Sequence, residues 1–472
     1  MSRPSTQPSI GLLPLYLKLY DDAQGDRRRR IEEFYGIIAR EFEKRNLNVV
    51  TSPICRLEKE FASAVKNFEE SGVDAIVTLH MAYSPSLESA GVLAKTPLPV
   101  VVCDTTPTYS FGPGQEPEEL MYNHGIHGVQ DMCNLLIRNG KPFEIAAGHW
   151  ERSDVLDRTV SLVRSARMAS HMRRIRAGLI GRPFTGMGDF YVPADRLRET
   201  IGVETVTLSS EGYRRLVSEV KEDEIAREME EDRKRFDTEG LNQEAWLRTV
   251  RTGLAVSRWI EKERLSAFSY NFLDIRRDEG FETVPFLAAS KMMARGIGFA
   301  GEGDLLTASL VSTLALNNPD TSFTEMFCPD WEGNTVFLSH MGEMNCNLVE
   351  GKARLVEMNY SYSDADNPVF AAGRFRSGDI LLVNLAPIGG AGYRLILAPV
   401  KIIDAPEDDR WKTKIRAWFE PPMAVAEFLT RYSRVGGTHH LALTYKGASG
   451  EGTTETIGTF GRMMGWETVT IE

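Results

Sequence analysis

Two apolar stretches early in the chain decide its fold: VDAIVTL at residues 73–79 and LPVVVC at residues 98–103. Both are short, rich in β-branched residues and almost uncharged, which is typical of strands buried on both faces of a parallel sheet. A helical pattern at 87–94 separates them, and strand and helix patterns alternate through the first 175 residues or so. This order predicts a parallel sheet covered by helices.

Two further regions follow along the chain. Strand patterns at 177–181, 205–208 and 265–270 alternate with helical ones, so a second α/β series is expected. After about residue 320 the chain consists of short strand patterns separated by Gly, Asp or Pro, which indicates an antiparallel barrel or sandwich. We therefore predict three domains, at residues 1–175, 176–320 and 321–472.

Composition excludes several functions. The net charge of −11 disfavours a nucleic-acid surface, and no apolar run is long enough for a membrane span. The N-terminus lacks the features of a secretory signal, so a cytoplasmic location is expected. Five widely spaced cysteines give neither a zinc ribbon nor a disulfide framework. No GxGxxG follows the first strand, so no nucleotide cofactor is expected.

Four segments combine acids or imidazoles with glycine or with apolar strand patterns. Each alone has an ordinary explanation: a helix start, a solvent-facing strand residue, or a buried core histidine. Together they offer two carboxylates and two imidazoles, a set that suits Mn²⁺, Co²⁺ or a similar ion. Neighbouring residues of a strand point to opposite faces, so only one of two adjacent histidines is expected to face a given site. The segments are GFAGEGD (298–304), SFTEMF (322–327), VFLSHMG (336–342) and GGTHHLAL (436–443).

In order and spacing these segments resemble the metal-ligand segments of L-arabinose isomerases, within the L-fucose/L-arabinose isomerase-like superfamily. The resemblance implies that Glu302, Glu325, His340 and His440 bind a divalent metal, with Mn²⁺ first and Co²⁺ or Mg²⁺ as alternatives. It also implies that Glu302 and Glu325 move protons between C1 and C2 of a sugar. The implied fold is two Rossmann-like α/β domains and a C-terminal antiparallel β-barrel. The implied assembly is a homo-oligomer, a hexamer built from trimers, with sites between subunits.

Further segments resemble the parts of the family's sugar pocket. They contribute the expected substrate-binding residues Tyr83, His124, His127, Met187, Phe272 and His439. The first strand departs from the family: residues 17–22 read LKLYDD where arabinose isomerases have a Gln-His-Leu-Tyr stretch, and His124 replaces a glutamine. Lys18 is therefore either a cation at the substrate end of the pocket, suited to an anionic or differently hydroxylated sugar, or a surface charge paired with Asp21 or Asp22.

The sequence thus predicts a metal-dependent aldose–ketose isomerase. A metal on two sugar oxygens would stabilise an enediolate while two carboxylates act as base and acid; a hydride shift is the mechanistic alternative. The alternatives for function are an isomerase of another sugar, such as an L-fucose-like, modified or acidic one, a catalytically silent family member, or a non-catalytic sugar-binding protein. A dinucleotide-dependent oxidoreductase is a more distant alternative, which bound NAD would revive.

Overall fold

The computed structural model describes residues 7–23, 27–405, 409–447 and 452–472. These residues form two compact units. The first unit comprises described residues up to 171 together with 459–465, and the second comprises 172–458 and 466–472 where described. No helix in the described ranges is both long and apolar enough to cross a membrane.

The first unit is built on a parallel sheet with the strand order β2-β1-β3-β4-β5. Its interior strands are buried along most of their length, and helices α3, α4 and α6 pack on the sheet through a shared apolar core. Gly11 permits this packing, because a Cβ there would lie 2.4 Å from the ring of Phe68 on α3. The strands are β1 (Ser9–Leu15), β2 (Asn48–Thr51), β3 (Ala75–His80), β4 (Val100–Asp104) and β5 (Phe143–Ala147). The helices are α1 (Lys18–Ala23), α2 (Arg28–Lys44), α3 (Glu58–Glu70), α4 (Ser86–Lys95), α5 (Leu120–Asn123), α6 (Ile126–Arg138) and α7 (Val155–Met172).

The second unit begins with another parallel sheet, of order β7-β6-β8-β9. Helix α13 is buried around almost its whole circumference, because it packs between this sheet and the strands that follow it. The strands are β6 (Arg176–Ile180), β7 (Glu204–Leu208), β8 (Ala267–Tyr270) and β9 (Gly298–Ala300). The helices are α8 (Ala194–Thr200), α9 (Ser210–Ser218), α10 (Glu222–Arg235), α11 (Gln243–Glu263), α12 (Phe286–Met293) and α13 (Leu305–Asn317).

An antiparallel barrel completes the second unit. Strands β16, β11, β10, β17, β14 and β15 pair in that order, and β15 pairs again with β16 to close the ring. The strands of this region are β10 (Thr321–Asp330), β11 (Thr335–Ser339), β12 (Arg354–Glu357), β13 (Val369–Arg374), β14 (Gly378–Pro387), β15 (Tyr393–Ile402), β16 (Ile415–Glu420), β17 (His440–Tyr445) and β18 (Glu467–Thr470), with helix α14 (Val425–Arg434). Helix α15 (Thr454–Met463) begins in this unit, and its residues from 459 onward count with the first unit. Because these six strands form a closed ring without a free edge, this region is a barrel and not a sandwich.

The predicted fold class is confirmed: two Rossmann-like parallel sheets precede an antiparallel barrel. The first strand does not include residues 17–22, which the family resemblance assigned to it. It ends at Leu15, and α1 begins at Lys18, where an (i, i+4) pair between Lys18 and Asp22 favours a helical turn. The three domain boundaries remain a prediction.

Candidate metal centre

The loop between β9 and α13 presents Glu302 at the carboxyl end of the middle sheet. Glu302 has a φ of 63° and Gly303 a φ of 84°, so two successive left-handed residues turn the chain sharply. A glutamate in this region is uncommon and costs backbone energy. Asp304 then caps α13, because its carboxylate accepts a hydrogen bond from the Thr307 backbone N–H at 2.8 Å. Asp304, and not Glu302, is thus the acid that caps this helix. Capping therefore does not explain why an acid stands at position 302.

The register of the barrel places Glu325 between two histidines. Glu325 on β10 pairs with Ser339 of β11 on one side and with His440 of β17 on the other. His340 follows Ser339 directly. Glu325 Oε1 consequently lies 3.1 Å from His440 Nε2 and 3.6 Å from His340 Nε2.

Glu302, on the loop between β9 and α13, also lies close to His440. Its Oε2 lies 3.5 Å from His440 Nε2 and 3.7 Å from His439 Nε2. The donor atoms of Glu302, Glu325, His439 and His440 all lie within 4.8 Å of one another. His340 falls outside that group of four and approaches it through Glu325. Two carboxylates and two imidazoles are a reasonable donor set for a borderline divalent cation.

The expectation that His439 and His440 face opposite sides is wrong. Strand β17 begins at His440, so His439 lies before the strand, where the alternation of a pleat does not apply. The two rings lie 4.3 Å apart between centroids, and both Nε2 atoms face Glu302. The adjacent histidines can therefore serve one centre.

Each of the three imidazoles has a carboxylate at its Nδ1 atom. An ionised carboxylate can only accept a hydrogen bond, so Nδ1 carries the proton. A ring that carries only this proton keeps a lone pair on Nε2, which is how outer carboxylates orient histidine ligands toward a metal. The pairs are His340–Glu343 at 2.6 Å, His440–Asp304 at 2.9 Å and His439–Asp189 at 2.7 Å.

Glu343 is itself held in place from the other side. The Tyr270 hydroxyl donates to it at 2.5 Å, and the Gly342 backbone N–H donates at 3.0 Å. Burial raises the pKa of Tyr270 well above its usual value, so the hydroxyl stays a donor. A chain of hydrogen bonds thus runs from Tyr270 through Glu343 to His340.

Two buried polar atoms of the centre are suited to binding a cation. Within the described residues, the buried His440 Nε2 and Glu302 Oε2 atoms have no hydrogen-bond partner, which is costly unless an ion or water satisfies them. Aromatic rings wall the site: Phe190 stacks on His440 at 4.6 Å, and Phe323 meets His340 edge-on at 4.7 Å. A divalent ion at this point would satisfy both orphaned atoms in surroundings that strengthen its electrostatic interactions.

The charges of the cluster are mutually dependent. Burial disfavours the ionised form of Glu302, yet the imidazoles of His439 and His440 outweigh it and lower the pKa of Glu302 to about 2. Burial likewise disfavours protonation of His439, but Asp189 and Glu302 outweigh it and raise the pKa of His439 to about 9. The metal-free centre therefore holds protons that a bound cation would displace.

The expected pocket residues of the second unit lie near this centre in the fold. Phe272 follows β8, at the carboxyl edge of the middle sheet, and its ring packs against Phe184 and Tyr362 at 5.8 and 5.4 Å. Met187 lies in the loop between β6 and α8, two residues before Asp189. Their contact with a sugar remains a prediction.

Three expected pocket residues of the first unit lie together at the carboxyl end of its sheet. The rings of His124 and His127 are 6.0 Å apart, and those of Tyr83 and His127 are 6.5 Å apart. The Tyr20 hydroxyl is 2.9 Å from His124 Nε2, and the Tyr83 hydroxyl donates weakly to Asp131 at 3.4 Å. These side chains form a polar aromatic cluster with no lysine in it.

Lys18 points elsewhere. Its ammonium pairs with the Asp22 carboxylate at 2.5 Å, and the two side chains are 47% and 57% exposed. An exposed pair at (i, i+4) on a short helix is what a surface charge makes. The structure therefore favours the surface interpretation of Lys18, and its role in substrate binding stays an untested hypothesis.

Sequence reasoning missed the outer carboxylates. Asp304 lies in the same segment as Glu302, Asp189 lies two positions after Met187, and Glu343 follows His340 by three positions. Closeness in sequence was an available signal only for Glu343, three residues after His340. Which acid meets which ring depends on tertiary packing, as the separation of Asp189 from His439 by 250 residues illustrates.

Comparison with protein families gives the class of protein. The family model described as the L-arabinose isomerase central domain matches residues 195–318. The one described as the L-arabinose isomerase C-terminal domain matches residues 320–467. Together the two models cover more than half of the chain, which places it among the sugar isomerases.

Individual relatives agree. L-arabinose isomerase 1 of Bacillus licheniformis is 27% identical over 351 residues, which are 69% of this chain and 66% of the relative, so the chain spans about two thirds of that protein. L-arabinose isomerase of Geobacillus kaustophilus is 26% identical over 379 residues, 74% of this chain and 71% of the relative. The chain belongs to the L-arabinose isomerase family.

One of the solved structures that match the chain comes from a bacterial transporter. It is an ABC transporter periplasmic solute binding protein from Actinobacillus succinogenes with bound D-allose, 11% identical, covering 66% of this chain and 90% of its own. The TM-score of 0.16 does not indicate a shared fold.

Proposed function

We propose that the protein is a divalent-metal-dependent aldose–ketose isomerase that works through an enediol intermediate. The observation that carries the proposal is the approach of Glu302 and Glu325 to one imidazole, 3.5 and 3.1 Å from His440 Nε2. Glu302, Glu325 and His440 would hold the metal, with His340 or His439 as the fourth ligand. A bound divalent ion would supply stabilisation of the negative charge that develops on the sugar oxygens.

The two carboxylates would carry the proton. Burial opposes ionisation of Glu325, but the neighbouring imidazoles of His440 and His340 lower its pKa, as they do for Glu302. Both groups are therefore ionised at neutral pH, and either can begin as the base that removes a proton beside the carbonyl. The carboxylic acid formed in that step can then return the proton to the neighbouring carbon, while the other carboxylate would take the proton of the sugar hydroxyl and deliver it to the former carbonyl oxygen.

A panel of sugars tests the activity. We expect Mn²⁺-loaded protein to interconvert at least one pentose, hexose, deoxysugar or acidic sugar with its ketose, measured by ketose formation. In ²H₂O, an enediol route should place carbon-bound deuterium at C1 or C2 of the product, whereas a hydride shift should leave deuterium only on the exchangeable hydroxyl groups. Sugar binding without turnover across the panel would contradict the proposal in favour of a non-catalytic sugar-binding protein.

The identity of the sugar is expected to depend on His124. His124→Gln restores the glutamine of the family pattern, removes an imidazole bonded to Tyr20, and should change kcat/KM ratios between sugars by about 10-fold, the size of one lost or gained polar contact. Lys18→Gln is the matched control. Because Lys18 is paired with Asp22 on the surface, its removal should leave both kcat/KM and the ranking of sugars unchanged.

A changed ranking in Lys18→Gln would instead place that cation at the substrate, and an unchanged ranking in His124→Gln would remove His124 from the pocket. The preference for Mn²⁺, the hexamer or trimer with shared sites, the cytoplasmic location and the three domain boundaries remain predictions. Light scattering of the purified protein would measure the subunit count directly.

A further inference from the structure

The three imidazole–carboxylate pairs of the centre differ in one respect, their access to solvent. The side chains of His440 and Asp304 are both 0% exposed, and those of His340 and Glu343 are 8% and 1% exposed. The side chains of His439 and Asp189 are 38% and 40% exposed. Two of the three pairs are therefore buried, and the Asp189–His439 pair is the one that is partly exposed to solvent.

Asp189 holds His439 by two contacts from one oxygen atom. Its Oδ2 accepts a hydrogen bond from His439 Nδ1–H at 2.7 Å and another from the His439 backbone N–H at 2.9 Å. The first contact fixes the rotation of the ring and the second fixes the backbone that carries it. On the far side of the ring, Nε2 lies 3.7 Å from Glu302 Oε2.

The residue after Asp189 supports the same arrangement. Phe190 is almost fully buried, and its ring lies 5.7 Å from His439 and stacks on His440 at 4.6 Å. Because the buried Phe190 fixes the adjoining backbone, the Asp189 carboxylate is held against the His439 ring. That ring is partly exposed, so packing does not hold it on every side.

We infer that Asp189 is a positioning residue that keeps His439 in the centre with its Nε2 atom directed at the metal position. The inference rests on the proposed function, since it presupposes a divalent ion between Glu302 and His440. A partly exposed ring without this carboxylate would rotate among its rotamers and lose the fixed direction of its lone pair.

The test is a titration of MnCl₂ into the metal-free, full-length protein without sugar, followed by calorimetry. Asp189→Asn should weaken Mn²⁺ binding by about 10- to 100-fold, the usual loss when an outer-shell partner of a histidine ligand is removed. Asp189→Glu, which keeps the carboxylate, should recover most of the affinity. Asp223→Asn, which removes an exposed aspartate on α10, is the matched control and should bind Mn²⁺ like the wild type.

A double-mutant cycle separates positioning from a general structural effect. If Asp189 acts through His439, Asp189→Asn should cost nothing further in a His439→Gln background. An equal loss in both backgrounds, or unchanged affinity in Asp189→Asn, would overturn the inference. Wild-type protein that fails to bind Mn²⁺ would instead overturn the proposed function. Should Asp189→Asn not fold, Asp189→Ser takes its place in the same cycle.

Discussion

Glu302→Gln and Glu325→Gln are each expected to lower kcat by about 1,000-fold or more while the protein stays folded. Each change removes an ionised carboxylate that would carry the proton, a role worth about 100- to 10,000-fold, and also removes a charge from the metal site. The amide keeps the size of the side chain, so packing around His440 is preserved. The measurement is kcat with the preferred sugar at saturating Mn²⁺, together with the melting temperature of each variant.

Glu332→Gln is the control for both variants. Glu332 lies at the exposed turn of the β10–β11 hairpin, so the same change of charge there should leave kcat unaltered. A Glu302→Gln or Glu325→Gln enzyme that retained a tenth of wild-type turnover would exclude that carboxylate as a proton carrier.

Removal of the metal by a chelator is expected to abolish turnover, and addition of Mn²⁺, Co²⁺ or Mg²⁺ should restore it to different extents. The reason is that carboxylates alone do not stabilise the charge of an enediolate. Re-metallation should release protons, because imidazoles that are protonated in the metal-free centre must become neutral ligands. Proton release can be measured with a pH indicator during the titration, and turnover that survives complete metal removal would contradict the prediction.

The pH dependence of the metal-free protein follows from the same groups. The pKa of His439 is raised to about 9, so its contribution to stability is fully present below about pH 6.5 and is lost as the pH rises through 9. The pKa of Glu302 is lowered to about 2, so its contribution is present above about pH 4.5 and is lost as the pH falls through 2. The melting temperature of the metal-free protein should therefore fall between pH 6.5 and 9, whereas added Mn²⁺ should stabilise more strongly over that range.

Much of the fold could be predicted because its signals are local. Apolar runs such as 73–79 are long enough to identify a buried parallel strand without knowledge of its neighbours. The closure of the barrel could not be predicted in this way. It depends on the pairing of β15 with both β14 and β16, and an antiparallel sandwich would have the same alternation along each strand.

The candidate site was predictable in its residue types and less so in its geometry. Glu302, Glu325 and His440 each have an ordinary explanation when taken alone, and the resemblance of their segments to the metal-ligand segments of L-arabinose isomerases is what identified them together. The approach of His439 to Glu302 was missed because it depends on where β17 begins. The ends of a strand are set by hydrogen bonds between chain segments that are far apart in sequence. Asp189 was missed, since nothing local in the sequence connects it with a histidine 250 residues later.

The long separations within the barrel have a consequence for biosynthesis. Asp304 and His440 are 136 residues apart, and Glu325 faces His440 only because β17 inserts beside β10. Until β17 has been synthesised, Glu302 and Glu325 have no His440 beside them. The incomplete site then consists of two carboxylates that repel each other. A divalent ion would therefore find its full set of ligands only after β17 has joined the ring, unlike the metal of a zinc finger, which organises the chain from the start. A nascent or prematurely terminated chain should remain unable to retain the metal, which makes metal retention a marker that synthesis has passed the last imidazole.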